Sequence, residues 1–174
     1  MRARRCTIDS SCVIALDHLD LVPKLSFLFS TVLVPKAVRE ELFKRRGAKD
    51  RVLGLFDTYA FFQRCDAYER GTVHFLLAEK ARQGAEDRGE VEAVVQASQV
   101  GATVIVDDSW GRELGLRDDL ETHGTFWVLA RFHELGLLSS PALRDSFASL
   151  RRYGIRLAWR LANGLLMRIG QKPL

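Results

Sequence analysis

Short β-branched, apolar runs alternate with helix-period segments along this chain, and that alternation is the strongest constraint on what it can fold into. Thr31-Val32-Leu33-Val34 and Thr103-Val104-Ile105-Val106 read as buried strands, because branched side chains pack well on a pleated surface. Residues 5–9 read as a first strand, and shorter strands are expected at 60–65 and 120–122. Between them the spacing predicts helices over 12–19, 21–29, 35–45, 52–59, 72–83, 89–100, 110–116 and 125–135. Ser10 and Ser11 are good N-caps for the first of these, Pro35 suits the opening turn of the third, and Gly47 follows its end. Strands joined by helices require right-handed crossovers, hence a mostly parallel α/β sheet covered on both faces.

At 174 residues and 47% apolar, the chain suits one domain with a sizeable core. We expect residues 1–140 to form that domain and 141–174 to be its C-terminal helical extension, two helices broken at Gly154. The basic N-terminus runs into Cys6-Thr7-Ile8-Asp9 without an apolar segment suited to a signal peptide, and no stretch approaches transmembrane length, so a soluble cytoplasmic protein is expected. Cys6, Cys12 and Cys65 lack metal-like spacing and read as reduced core cysteines, and the histidines form no ligand pattern. The net charge of +4 gathers in clusters, at Arg2, Arg4 and Arg5, at Lys44, Arg45 and Arg46, and at Arg151, Arg152 and Arg156. Such clusters are ordinarily solvated surface, and they are also what a phosphate backbone needs.

Four carboxylates, Asp9, Glu41, Glu92 and Asp107, stand where a predicted strand gives way to a helix or within a helix's first turns. Open α/β sheets bind ligands at the carboxyl ends of their strands, so these acids can converge although far apart in sequence. Converging carboxylates suit Mg²⁺ or Mn²⁺. Helix phase separates one pair: with Val38 as origin and about 100° per residue, Glu41 borders the apolar stripe of Val38 and Leu42 whereas Glu40 faces solvent. Phase does not separate Glu90 from Glu92, since both lie at the borders of the face set by Val91, Val94, Val95 and Ser98. Asp107 comes directly off its strand, and Asp108 follows it. Ser11 either caps the first helix or hydrogen-bonds a metal ligand or substrate.

Five fragments in order resemble the PIN-domain nucleases, within them the branch similar to bacterial toxins of toxin-antitoxin pairs: IDSSCVIAL, VLVPKAVREEL, RGEVEAVVQA, VIVDDSWGREL and GTFWVLARFHELGLL. The closing helices, LRDSFASLRRYGIRLAWRLANGLLMRIG, resemble that branch as well. The resemblance implies a three-layer α/β/α domain and Mg²⁺- or Mn²⁺-dependent cleavage of RNA. It implies Asp9 as the central metal ligand, Glu92 as the ligand in the glycine-acid-any-acid-alanine pattern, and Asp107 as the more essential of the paired aspartates. Glu90 is then a dipole-favoured or accessory acid, Asp108 is accessory, and Arg112 matches a basic position that holds a carboxylate, touches phosphate or is only a surface charge. It also implies a small antitoxin protein that blocks the cleft, and a homodimer.

The chemistry expected is hydrolysis of an RNA phosphodiester by a water activated on one or two Mg²⁺ or Mn²⁺ held by Asp9, Asp107 and Glu92, with Glu41 acting through water; no covalent intermediate is expected, because no histidine or lysine is placed to activate a nucleophile. An aspartate-nucleophile phosphatase would need a second aspartate two residues after Asp9, where Ser11 stands. A non-catalytic module that keeps the fold to bind RNA or protein is the alternative. In the tail, Leu157, Leu161, Leu165 and Ile169 recur every fourth residue as an apolar stripe, either core or a partner contact.

Overall fold

The computed structural model describes residues 4–44, 49–66, 68–82 and 88–174, so the helix ends expected at Arg45, Gly47 and Gln83 lie outside the described residues. Five strands form one parallel sheet: β1 (Arg5–Ile8), β2 (Thr31–Val34), β3 (Phe62–Arg64), β4 (Thr103–Ile105) and β5 (Thr122–His123). Their order is β3-β2-β1-β4-β5, with Thr7 of β1 paired to Leu33 on one side and to Val104 on the other. The chain leaves β1 towards β2 and later returns across β1 to β4. Connections therefore diverge at the carboxyl ends of β1 and β4, which opens a crevice there.

The helices are α1 (Ser10–His18), α2 (Lys36–Lys44), α3 (Lys49–Thr58), α4 (Arg70–Ala81), α5 (Arg88–Val100), α6 (Ser109–Arg117), α7 (Thr125–Glu134), α8 (Ser140–Tyr153) and α9 (Trp159–Arg168). The expected helix at 21–29 is instead a 3-10 helix, Val22–Phe27. Pro23 supplies no N–H, and the segment is held by short-range bonds such as Lys24 N–H to Leu21 O (3.0 Å) and Leu28 N–H to Leu25 O (2.9 Å). The strand expected at 120–122 lies at 122–123, because the Leu120 N–H is bonded to Gly115 O (2.9 Å) at the end of α6, just after Asp119 turns at φ 54°.

Strand alternation divides the core in two. Cys6, Ile8, Val32, Val34 and Ile105 face a layer that includes α1, α7, α8 and α9, whereas Val104 and Val106 face Val91, Val94 and Val95 of α5. This is a three-layer α/β/α sandwich. Leu143, Phe147 and Leu150 of α8 and Ala162 and Leu166 of α9 are buried in the same cluster as Ile8, so the C-terminal helices help build the main core. The tail stripe is not one face: Leu157, Leu165 and Ile169 pack on the core, but Leu161 is 57% exposed. No described helix is long and apolar enough to cross a membrane.

Candidate metal-binding cleft

Asp9 leaves the end of β1 with its own N–H bonded to Ile105 O of β4 (3.0 Å), and then caps α1. Its Oδ1 accepts the Cys12 N–H and its Oδ2 accepts the Ser11 hydroxyl, each at 2.8 Å. The cap is therefore Asp9, where Ser10 and Ser11 were expected, and the helix begins at Ser10 instead of Cys12. A carboxylate at a helix N-terminus gains both the hydrogen bond and the favourable end of the dipole. Burial nevertheless dominates and, with the charge of Asp107 added, raises the Asp9 carboxyl to about 6.

Asp107 follows β4 on the neighbouring strand. Its Oδ1 accepts the Thr125 N–H (2.8 Å) and its Oδ2 the Thr125 hydroxyl (2.6 Å), so this acid caps α7 across the crevice. Arg112 of α6 lies 3.6 Å from Oδ1 and donates its Nε–H to Val106 O (3.2 Å), so its guanidinium stands beside the carboxylate. A Cβ at Gly124 would overlap both Asp107 and Arg112, so this close approach requires glycine. Thr125 and Gly124 had no site role in the sequence. Their only signal was a glycine-threonine pair at a helix start, which is common to ordinary caps.

The other two acids bind helices to each other. Glu41 of α2 accepts the Gly89 N–H at the start of α5 (3.1 Å) and the Ser10 hydroxyl (2.6 Å). Glu92 of α5 accepts the Ala37 N–H at the start of α2 (2.8 Å). The two helices thus cap one another, each through a carboxylate. Glu92 is fully buried and also accepts the Tyr68 hydroxyl and the Arg88 Nε–H, both at 2.7 Å. Glu40 faces solvent beside Lys36 (3.7 Å), as its phase requires.

A cavity of about 450 Å³ opens beside this arrangement, lined by Ser11, Glu90, Asp107 and Asp108 together with Gly154, Ile155 and Arg156. Asp9 lies behind Ser11, one hydrogen bond from the cavity. Glu92, which the resemblance nominates as a ligand, does not line it, and its oxygens are engaged by α2, Tyr68 and Arg88. Glu90 does line it, and forms a buried ion pair with Lys80 of α4 (2.6 Å), whose ammonium also lies 4.7 Å from the centre of the Trp110 ring. Asp108 caps α6 through the Trp110 N–H (2.8 Å). Cys12 is no candidate nucleophile: burial, then the charges of Asp107 and Asp9, push its thiol well above the usual range.

The donor set fits a hard divalent cation in part. Asp9 and Asp107 follow adjacent strands, and the charge of Asp107 raises the proton affinity of Asp9, a repulsion that a cation would relieve. Among the described residues, no group of three or more His, Cys, Asp or Glu is spaced to hold a metal. Mg²⁺ is commonly held by one or two carboxylates, with water and substrate phosphate completing its shell, so an acid pair is sufficient in kind.

An open parallel α/β sheet with an acid pair at its switch point defines the class, an α/β domain with acids at the carboxyl ends of adjacent strands. A family model described as a PIN domain matches residues 5–171, and the chain belongs to the PIN-domain family. Proteins of that family are in general nucleases, hydrolases that act on RNA and usually use divalent cations such as Mg²⁺. Among curated proteins none matches the chain.

Proposed function

We propose that this protein is a Mg²⁺- or Mn²⁺-dependent endoribonuclease and the toxin of a toxin-antitoxin pair. The observation that carries the reading is the pairing of Asp9 and Asp107 at the ends of adjacent strands, close enough for one charge to raise the pKa of the other. These two acids are the proposed metal ligands, with Glu90, Asp108 and Ser11 lining the cavity beside them as accessory groups. Glu41 and Glu92 fix the walls by joining α2 to α5. When bound, a divalent cation would supply an activated water and offset charge on the scissile phosphate. Thr125 and Arg112 hold Asp107 in place, and the Ser11 hydroxyl and Cys12 N–H hold Asp9. An antitoxin protein that covers the cleft, cytoplasmic residence and a homodimer belong to the same reading.

The test is cleavage of labelled single-stranded RNA in Mn²⁺, Mg²⁺ and EDTA by the wild type, Asp9→Asn and Asp107→Asn. Metal-dependent cleavage lost in both variants supports the reading, and cleavage that survives EDTA overturns it. The engagement of Glu92 by three donors favours a second reading, a non-catalytic module that binds RNA or protein. RNA bound by the wild type without cleavage in any divalent metal would select it. Growth arrest on expression, absent in Asp107→Asn, tests the toxin role.

A further inference from the structure

Part of the lining of the cleft comes from the turn between α8 and α9, and the way it is built gives it a role. Helix α8 ends at Gly154, whose φ of 84° is the left-handed conformation that glycine adopts freely. The Gly154 N–H bonds Arg151 O (3.1 Å) and the Ile155 N–H bonds Leu150 O (3.0 Å), the two bonds of a Schellman motif. Ile155 packs on the core cluster that contains Leu150. The next residue, Arg156, is therefore carried by an anchored corner. It is exposed, forms no ion pair with a described residue, and lines the cavity shared with Glu90, Asp107 and Asp108. Arg151 and Arg152 lie in the last turn of α8, where they offset the helix dipole. Arg156 lies beyond the helix end, so the dipole does not account for it.

We infer that Arg156 is a substrate-binding residue that grips a backbone phosphate of a single RNA strand lying between the α8–α9 corner and the acids; this rests on the ribonuclease reading above. A polyanion approaching Asp107 and Asp108 is repelled within a Debye length of roughly 8–10 Å, and the Arg156 guanidinium lining the same cavity offers it a bidentate partner. A cavity of about 450 Å³ is of small-ligand size, within the range of roughly 300–1,000 Å³, and far smaller than a duplex.

The test uses the full chain and a fluorescein-labelled single-stranded RNA decamer of mixed sequence, with steady-state cleavage in Mn²⁺ and anisotropy in an Asp107→Asn background. Arg156→Ala is expected to raise KM about tenfold with kcat within about twofold, to leave Mn²⁺ binding unchanged, and to lower the slope of log affinity against log salt by about 0.7. Arg156→Lys should recover part of the loss and Arg168→Ala should show none, since Arg168 is exposed on α9 and does not line the cavity. If Arg156→Ala matches the wild type in KM and salt slope while the wild type cleaves, this inference alone fails. If the wild type neither binds nor cleaves the RNA, the ribonuclease reading fails and takes the inference with it.

Discussion

Asp107 follows the strand next to the one that leads into Asp9, and its charge adds to burial in lifting the Asp9 carboxyl to about 6. Without metal, an ionised Asp9 is therefore a strained group. Asp9→Asn removes the charge and keeps an oxygen for the Cys12 N–H, so it should stabilise the metal-free protein at pH 7 by about 1–3 kcal/mol and raise Tm by several degrees. The same variant should gain no Tm on adding Mn²⁺, whereas the wild type should. Thermal melts of both proteins with and without Mn²⁺ check this. A metal-induced shift that persists in Asp9→Asn would place the site elsewhere.

The pH dependence follows from the direction of that shift. The folded-state value is above the unfolded one, 3.8, so the folded protein binds the proton more tightly. The contribution of Asp9 to stability is full below about 3.8 and is lost as pH rises through about 6. Denaturant melts should thus show the gap between Asp9→Asn and wild type opening between these two values and levelling off above them. Metal binding runs the other way, because the ligand must be ionised: Mn²⁺ affinity should fall about tenfold per pH unit below 6. An affinity flat from pH 5 to 7 would contradict the assignment.

The mutual capping of α2 and α5 separates two acids that the sequence leaves together. Glu92→Gln puts an amide among three donors, Ala37 N–H, Tyr68 and Arg88, and so leaves at least one unpaired at a cost of about 1–3 kcal/mol. It should lower Tm while Mn²⁺ affinity is retained. Unchanged Tm with loss of Mn²⁺ binding would return Glu92 to the metal site.

The adjacent pair in α2 offers a sharper contrast. Glu41→Gln disturbs bonds to Ser10 and Gly89 and should reduce both stability and cleavage, whereas Glu40→Gln removes only a solvent-facing pair with Lys36. Comparing cleavage rates and urea midpoints of the two variants tests this, and equal losses at both positions would refute the helix-phase argument.

How far each of these acids could be read from sequence depended on its helix. Helix α2 is amphipathic, so the phase of Val38 and Leu42 placed Glu41 against the interior and Glu40 outside. In α5 every residue from Gly89 to Ala97 is buried, and with no solvent face the period carried no information about Glu90 and Glu92. Only tertiary contacts distinguish them, Lys80 and the cavity for one, Tyr68, Arg88 and α2 for the other. Asp9 and Asp107 were legible because each directly follows the residues that end a β-branched run. Thr125, Gly124 and the α8–α9 corner were not, since nothing local to them signals which strand end they face.

The tail shows the same limit and gives the last prediction. A spacing of four residues drifts by about 40° per step round a helix, so an apolar series at that spacing cannot stay on one face. Helix α9 begins only at Trp159, which leaves Leu157 outside it, and its buried positions are Ala162 and Leu166, with Leu161 and Met167 turned to solvent. Leu166→Ala should therefore lower stability by about 2–4 kcal/mol and Leu161→Ala by less than about 0.5 kcal/mol. Removing the chain from Arg156 onward strips Ala162 and Leu166 from the core that holds Leu143 and Phe147, and should unfold the domain. Urea melts followed by circular dichroism check all three. Light scattering on Leu161→Ala reads the outer face separately: a fall in mass from dimer to monomer would assign that face to a contact between copies. A loss of stability at Leu161 equal to that at Leu166 in a protein that is monomeric throughout would mean that the phase of α9 is wrong.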